Sequence, residues 1–250
     1  MTWRDPFRIK QQESTGKIVV MTIPQVPLPE VLPVFPLTGV LLLPGTVLPL
    51  HVFEPRYRNM VEDTLENMRV FGMIQPFAPH QDNRPVAGAE SEKPALYKVG
   101  CAGHIERWER LPDGRYFLQL RGVNRFSFSE EYPLLRGYRR VRAIYENFPD
   151  ATLHEGWQCE REEMLQALAN YGQAHGMHVK TEQADGFTDL ELVNLLGVSL
   201  PFHPAEKQAL LEALTLKDRE SVLINLLRLD AGPDDSDDDT DAHVPSRTVN

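Results

Sequence analysis

Only two cysteines, Cys101 and Cys159, occur in the 250 residues. No secretory leader is expected, because the one early apolar run, Ile18 to Ile23, is short and broken by Thr22. Free thiols in a reducing, cytoplasmic setting are therefore expected rather than a disulfide framework. A membrane-spanning stretch is also missing. The longest nearly apolar run, Val40 to Phe53, is cut by Pro44, Gly45 and Pro49 and ends at Glu54. A spanning helix needs about 20 apolar residues, and the prolines forbid a continuous helix here. Excess positive charge is absent too, with a net charge of -10. Half of that resides after Ala231, where six aspartates face the single Arg247.

Catalytic signatures are equally scarce. No phosphate-cradling G-x-x-x-x-G-K-[ST] occurs, since Gly16-Lys17 is followed by Ile18 and lacks the upstream glycine. His154-Glu155 begins a zinc-helix pattern, but Gln158 stands where the second histidine is needed. His175 and His178 are three apart, with Cys159 as a conceivable third ligand, yet Gly172 and Gly176 argue for a loop. His51 lies in an apolar strand and reads as a core or rim histidine, and His104 has no evident partner. No Ser/His/Asp order or pair of acids stands out. Neither a cofactor nor a metal is expected, and the chain is read as non-enzymatic.

What is present is a composition of 42% hydrophobic and 25% charged residues, that of a globular chain. From Leu32 to about Phe148 the pattern is β: LPVFPL, VLLL, TVLPLHVF, VFGMIQPF, LYKVGCAGHIERW, RYFLQLRGVNRFSF and YRRVRAIYENF. Pro112-Asp113-Gly114 reads as a hairpin turn. Pro33, Pro36 and Pro49 cannot donate to a ladder, so their strands belong at edges, strand starts or bulges. Pro44-Gly45 joins two short strands, and one helix starts at Glu54-Pro55 with Tyr57, Met60, Val61, Leu65 and Met68 on one face. Residues 78–95 read as a long polar loop.

Beyond Phe148 the period is helical. Trp157, Met164, Leu165, Leu168 and Tyr171 form one stripe. Thr188 and Glu191 have capping-box spacing, Phe187 and Leu192 suit a hydrophobic staple, and Gly197 can end that helix. Further helices begin near His203-Pro204 and near Thr215, with stripes Leu210/Leu211/Leu214 and Val222/Leu223/Leu226. The last twenty residues, AGPDDSDDDTDAHVPSRTVN, cannot bury enough surface to offset their ordering entropy and read as a disordered, dispensable tail.

The segment LPVFPLTGVLLLPGTVLPLHVFEPRYRNMVEDTL, 32–65, resembles the amino-terminal substrate-recognition domain of Lon proteases. Its FEPRYR variant is similar to that of standalone bacterial Lon-domain proteins. ELVNLLGVSLPFHPAEKQALLEALTLKDRESVLINLLRL, 191–229, resembles the helical half of the same domain. The resemblance implies an α+β fold: a pseudouridine-synthase-and-archaeosine-transglycosylase-like (PUA-like) β-barrel with one internal helix, then a small helical bundle. The implied organisation is an N-terminal extension at 1–29, the barrel at 30–148, the helical subdomain at 149–230 and the acidic tail at 231–250. Lon proteases continue into an ATPase module and a Ser-Lys peptidase module, neither of which is expected here.

By that resemblance the chain is expected to bind unfolded or extended polypeptide through exposed apolar surface or an open strand edge, with protease or chaperone machinery as partner. Its oligomeric state is left open. Arg56, Tyr57 and Arg58 at the strand-to-helix corner, with Phe202 and His203 opposite, are the expected peptide-binding residues. The same corner has a structural reading, with Arg56 or Arg58 pairing Glu54. Two alternatives remain, a hydrolase with an unrecognised site and an RNA-binding barrel using Arg136, Arg139, Arg140 and Arg142. RNA is disfavoured by the acidic body.

Overall fold

The computed structural model describes residues 25–77, 94–148, 150, 157–177, 179 and 181–231. Residues 1–24 of the expected N-terminal extension, 232–250 of the acidic tail, most of the polar loop, His154 and His178 lie outside this set. Strands β1 (Val31–Pro36) and β2 (Val47–Val52) lead into α1 (Pro55–Leu65), and β3 (Val70–Pro76), β4 (Leu96–Arg110), β5 (Tyr116–Leu135) and β6 (Tyr138–Ile144) follow. Four helices follow among the described residues: α2 (Arg161–Ala174), α3 (Asp189–Ser199), α4 (Pro204–Glu212) and α5 (Leu216–Ala231). A 3-10 turn at Thr181–Gly186 sits between α2 and α3. The fold is α+β.

The strands form one mixed sheet in the order β2-β5-β4-β3-β1-β6, and β6 also pairs with β5. The pairings β5-β4-β3-β1-β6 thus return to β5, with β2 attached outside that ring. β5 can take part twice because it is 20 residues long. Its first half pairs with β2, and its second half pairs with β6. Leu32, Val34, Val70, Ile74, Phe126 and Val141 make one apolar cluster among the ring strands. A second, larger cluster joins Leu41–Leu43, Met60 and Phe71 to Leu168, Leu196 and Leu223 of the helices.

Several expectations about local structure are corrected. Leu41, Leu42 and Leu43 are buried but pair with no strand. They run into a turn in which Thr46 N–H and Oγ1 both donate to Leu43 O, at 3.0 and 2.8 Å, while Gly45 takes φ of 86°. The apolarity of this run reflects burial between strands and helices, not strand formation. Gly197, expected to end a helix, lies inside α3, which continues to Ser199. A Cβ there would sit 3.4 Å from Leu210 Cδ1 and 3.9 Å from Leu41 Cδ2, so its smallness serves close packing. Met68 and Leu214 are exposed, outside the stripes assigned to them.

The prolines occupy tolerant positions, although β1 itself has two neighbours. Pro33 faces Arg140 of β6, and the parallel ladder with β3 begins only at Val34. Pro49 sits on β2, at the open end of the sheet order. Gly122 N–H donates to Thr46 O at 2.9 Å. Alternation then turns the amides of Leu48, Leu50 and Val52 toward β5 and those of positions 47, 49 and 51 outward. Pro49 therefore removes a donor from the free edge and leaves the ladder intact.

The helices join the sheet through polar contacts as well as leucines. Gln75 Nε2 donates to Pro204 O at 2.9 Å, and Gln208 Nε2 donates to Val99 O at 3.1 Å. Arg125 of β5, 1% exposed, pairs with Asp150 at 2.9 Å. It also donates to Leu211 O at 3.0 Å, to Ala213 O and to Leu214 O, at the end of α4. The start signals read from sequence are present: Thr188 with Glu191 forms a capping box, a helix begins after His203, and Thr215 is bonded to Asp218; His203 with Glu206 adds a second capping box beyond those signals.

Candidate functional site

The FEPRYR corner is built around α1. Pro55 supplies the first helical residue, and Glu54 O accepts from the amides of Tyr57 and Arg58. Glu54 pairs with Arg56 at 2.7 Å, and the Arg56 guanidinium lies 4.8 Å from the Tyr57 ring centroid. Tyr57 is 6% exposed and stacks on Phe35 at 4.1 Å, and burial raises its pKa. Arg58 lies across the hairpin turn, where a side chain at Gly114 would collide with its guanidinium. Phe202, 5% exposed, packs edge-on to Tyr171 at 6.2 Å, and His203 caps α4 from an exposed position. The contacts of the two groups thus run to different neighbours, with both aromatic rings consumed in the core.

One turn further along, α1 clamps two hairpins. Glu62 receives Arg136 at 3.1 Å, Arg110 at 3.5 Å and the Tyr116 hydroxyl at 3.4 Å. Asp63 receives Arg136 and the Tyr138 hydroxyl. Burial, followed by the bond to Asp63, pushes Tyr138 up to about 12. Arg139 pairs with Glu131 at 2.7 Å, and Arg142 lies 3.3 Å from Glu30 and 3.2 Å from Glu130. Three of the four arginines considered for RNA are thereby held by carboxylates of their own chain.

The unspent aromatic surface lies elsewhere, on the outer face of β2, β5 and β4. Phe53 is 60% exposed and Phe117 48%, whereas Trp108, opposite buried Leu118 and 6.4 Å from the Tyr116 ring, lies on the other side of the sheet. The exposed His51 stacks on Phe117 with centroids 4.6 Å apart, and its ring lies 6.0 Å from Phe53. The register explains the grouping: His51 is opposite Phe117, which is opposite Glu109, and Pro49 is opposite Gln119, which is opposite Arg107. These residues line an open depression of about 500 Å³. His51 is thus a surface group, not a core one. The signal for it lay in β2, where outward positions alternate with buried Leu50 and Val52.

A family model described as the ATP-dependent protease La (LON) substrate-binding domain matches residues 31–228. The chain belongs to the LON substrate-binding domain family. It is 26% identical over 199 residues to the Lon protease of Dictyoglomus thermophilum, a match covering 77% of this chain and 23% of that protein. With Lon protease 2 of Myxococcus xanthus it shares 27% identity over 213 residues, covering 80% of this chain and 24% of the relative. The chain therefore spans about a quarter of the length of these relatives. The fold is also that of a Lon N-terminal domain protein from Xanthomonas campestris, with TM-score 0.54 and 22% identity over 78% of this chain and 97% of the other.

The remaining titratable groups show no assembled chemistry among the described residues. Both cysteines are free, and burial pushes the Cys159 thiol up to about 12 and Cys101 higher still. Neither has thiolate character near neutral pH. His175 Nδ1 lies 2.9 Å from Tyr171 O, with the two rings stacked at 4.3 Å. No group of three metal-ligating side chains occurs among the described residues, and none of their helices is long and apolar enough to cross a membrane.

Proposed function

We propose that this LON substrate-binding domain is a non-catalytic binder of extended polypeptide, and that the outer face of β2, β5 and β4 is where the polypeptide lies. The observation that carries the reading is the cluster of Phe53, His51 and Phe117, exposed together on one sheet face. Clustered aromatic exposure of this kind marks interaction surfaces, and Trp, Tyr and Phe rings supply large contact area at low entropic cost. Side chains of an extended segment would settle among these rings. Strand addition at β2 is a weaker mode, because Pro49 withholds an edge donor. Arg56, Tyr57, Arg58, Phe202 and His203 enter this reading as supports, with the Arg58 side chain bracing the turn between β4 and β5. The proposed setting is cytoplasmic, with a protease or chaperone system as the destination of the bound chain.

The test is affinity for a reduced, carboxymethylated protein that cannot refold, measured by fluorescence anisotropy. Phe53→Ser and Phe117→Ser should each weaken binding about tenfold or more, the range of an aromatic anchor, while melting stays close to wild type. Tyr57→Ala and Phe202→Ser should instead lower stability by about 3 kcal/mol or more, as losses of buried rings. Undiminished affinity in both surface variants would remove this face from the reading.

A further inference from the structure

We infer that a second copy of this chain docks on the same outer face of β2, β5 and β4, the two sheets lying face to face in antiparallel register. The inference deepens the reading above and rests on it for one consequence: a client segment and a second copy exclude each other.

The geometry is self-complementary. One row across the face reads His51, Phe117, Glu109, and the next reads Pro49, Gln119, Arg107. The rows are two residues apart along each strand, or roughly 7 Å. Between them lies the level of Leu50, Leu118 and Trp108. A twofold axis in the plane of the face, crossing the strands at that level, lays each row of one copy over the other row of its mate. Glu109 then meets Arg107 of the second copy, and Arg107 meets its Glu109. The His51/Phe117 stack meets Pro49 and Gln119, an apolar surface beside an amide. Packed sheets stand about 10 Å apart, a gap that side chains of this size span from both sides.

Two further observations favour this occupant. Arg107 and Glu109 are exposed and form no ion pair among the described residues, although charges around them are paired: Arg121 with Glu106, Arg110 with Glu62, Arg115 with Asp113. Pro49 also withdraws a donor from the β2 edge, which discourages sideways sheet extension and leaves the face for association. An isologous contact needs one patch that complements itself, and opposite charges placed symmetrically about an axis satisfy that requirement.

Sedimentation of the full chain across a wide concentration range tests this. A reversible monomer–dimer equilibrium is expected. Arg107→Glu and Glu109→Arg should each weaken it about tenfold or more, because both cross-pairs become like-charged. Mixing the two variants in equal amounts should restore association, as should the double variant R107E/E109R. Both positions are exposed, so all variants should melt like wild type. A monomer at every concentration, or single variants that dimerise normally, or a mixture that does not recover, overturns the inference. Unfolded client should dissociate the dimer, and a stable complex of client with dimer overturns the exclusion. A monomer whose client binding still falls in F117S would leave the polypeptide reading standing. A charge-restored dimer whose client binding ignores F53S and F117S would support the docking inference while retiring that reading.

Discussion

At Phe126 the interior of the ring of strands is decided by what its neighbours lack. A Cβ on Gly72 would lie 2.7 Å from Phe126 Cε1 and 2.9 Å from Leu32 Cδ2, and one on Gly100 would lie 2.6 Å from both Phe126 Cζ and Met73 O. The two glycines leave space for one phenyl ring. Gly72→Ala and Gly100→Ala should each cost about 1–3 kcal/mol, the usual penalty of overpacking. Their rescue should differ. Trimming the ring with Phe126→Leu should recover part of the loss in G72A, whose obstacles are all side-chain atoms. It should recover little in G100A, where a backbone carbonyl also blocks the new methyl. Urea denaturation of the single and double variants checks this, and equal rescue at both sites would refute the stated difference. Neither glycine's role was legible in sequence, because the partner ring comes from a strand some 25 to 55 residues away.

Local signals survived best where an element closes on its own neighbours. The capping box at Thr188, the helix start at His203-Pro204, the turn at Pro112–Gly114 and the start of α1 at Pro55 depend on contacts within a few residues, and each stands where the pattern put it. The run Leu41–Leu43 misled because burial on several sides looks the same as a buried strand. The expected site was harder to read for a related reason: Tyr57 and Phe202 have the composition of a binding corner, and only packing shows that their rings are buried. α3 shows how an element is tied to the rest. Asp189, in its first turn, accepts from Cys159 N–H at 2.9 Å and pairs with Arg161 at 2.7 Å. Burial pushes its carboxyl up, but the amide and the guanidinium together outweigh that and hold it below the ordinary 3.8. Stability from a carboxylate so depressed is present above the unfolded-state value and is lost as pH falls through the folded one. Asp189→Asn should therefore lower stability by about 1.5–3 kcal/mol at neutral pH, as for a charge-assisted bond. The gap to wild type should close toward about pH 2, when both proteins carry a neutral group there. Melting curves at both pH values decide it, and a gap that persists in acid would mean that Asp189 acts by shape instead of charge.

For the whole molecule, the decisive tie between strands and helices is Arg125. Its guanidinium is shared among Asp150, the Phe148 ring at 4.5 Å and three carbonyls that end α4. A cation suits that place, since the carbonyl end of a helix carries partial negative charge. Nearby Arg219 is also buried, and burial followed by repulsion from Arg125 lowers it to about 10. Among the described residues Asp150 is thus the one carboxylate paired directly with Arg125, in a region holding two buried cations. Asp150→Ala should cost about 3–5 kcal/mol, the range for leaving a buried charge without its counterion. Replacing both members, in Arg125→Met with Asp150→Ala, removes the buried charge but should not restore wild-type stability. The carbonyls of Leu211, Ala213 and Leu214 would then lose their shared donor, and unsatisfied buried acceptors cost about 1–3 kcal/mol each. Hydrogen exchange locates the damage. In both variants the amides of α4 and α5 should lose protection before those of β3 and β4, because the broken tie lies between helices and sheet. A loss below about 1 kcal/mol in D150A, or protection lost evenly across sheet and helices, would show that the leucine and glutamine contacts hold the two layers together without the Arg125 tie.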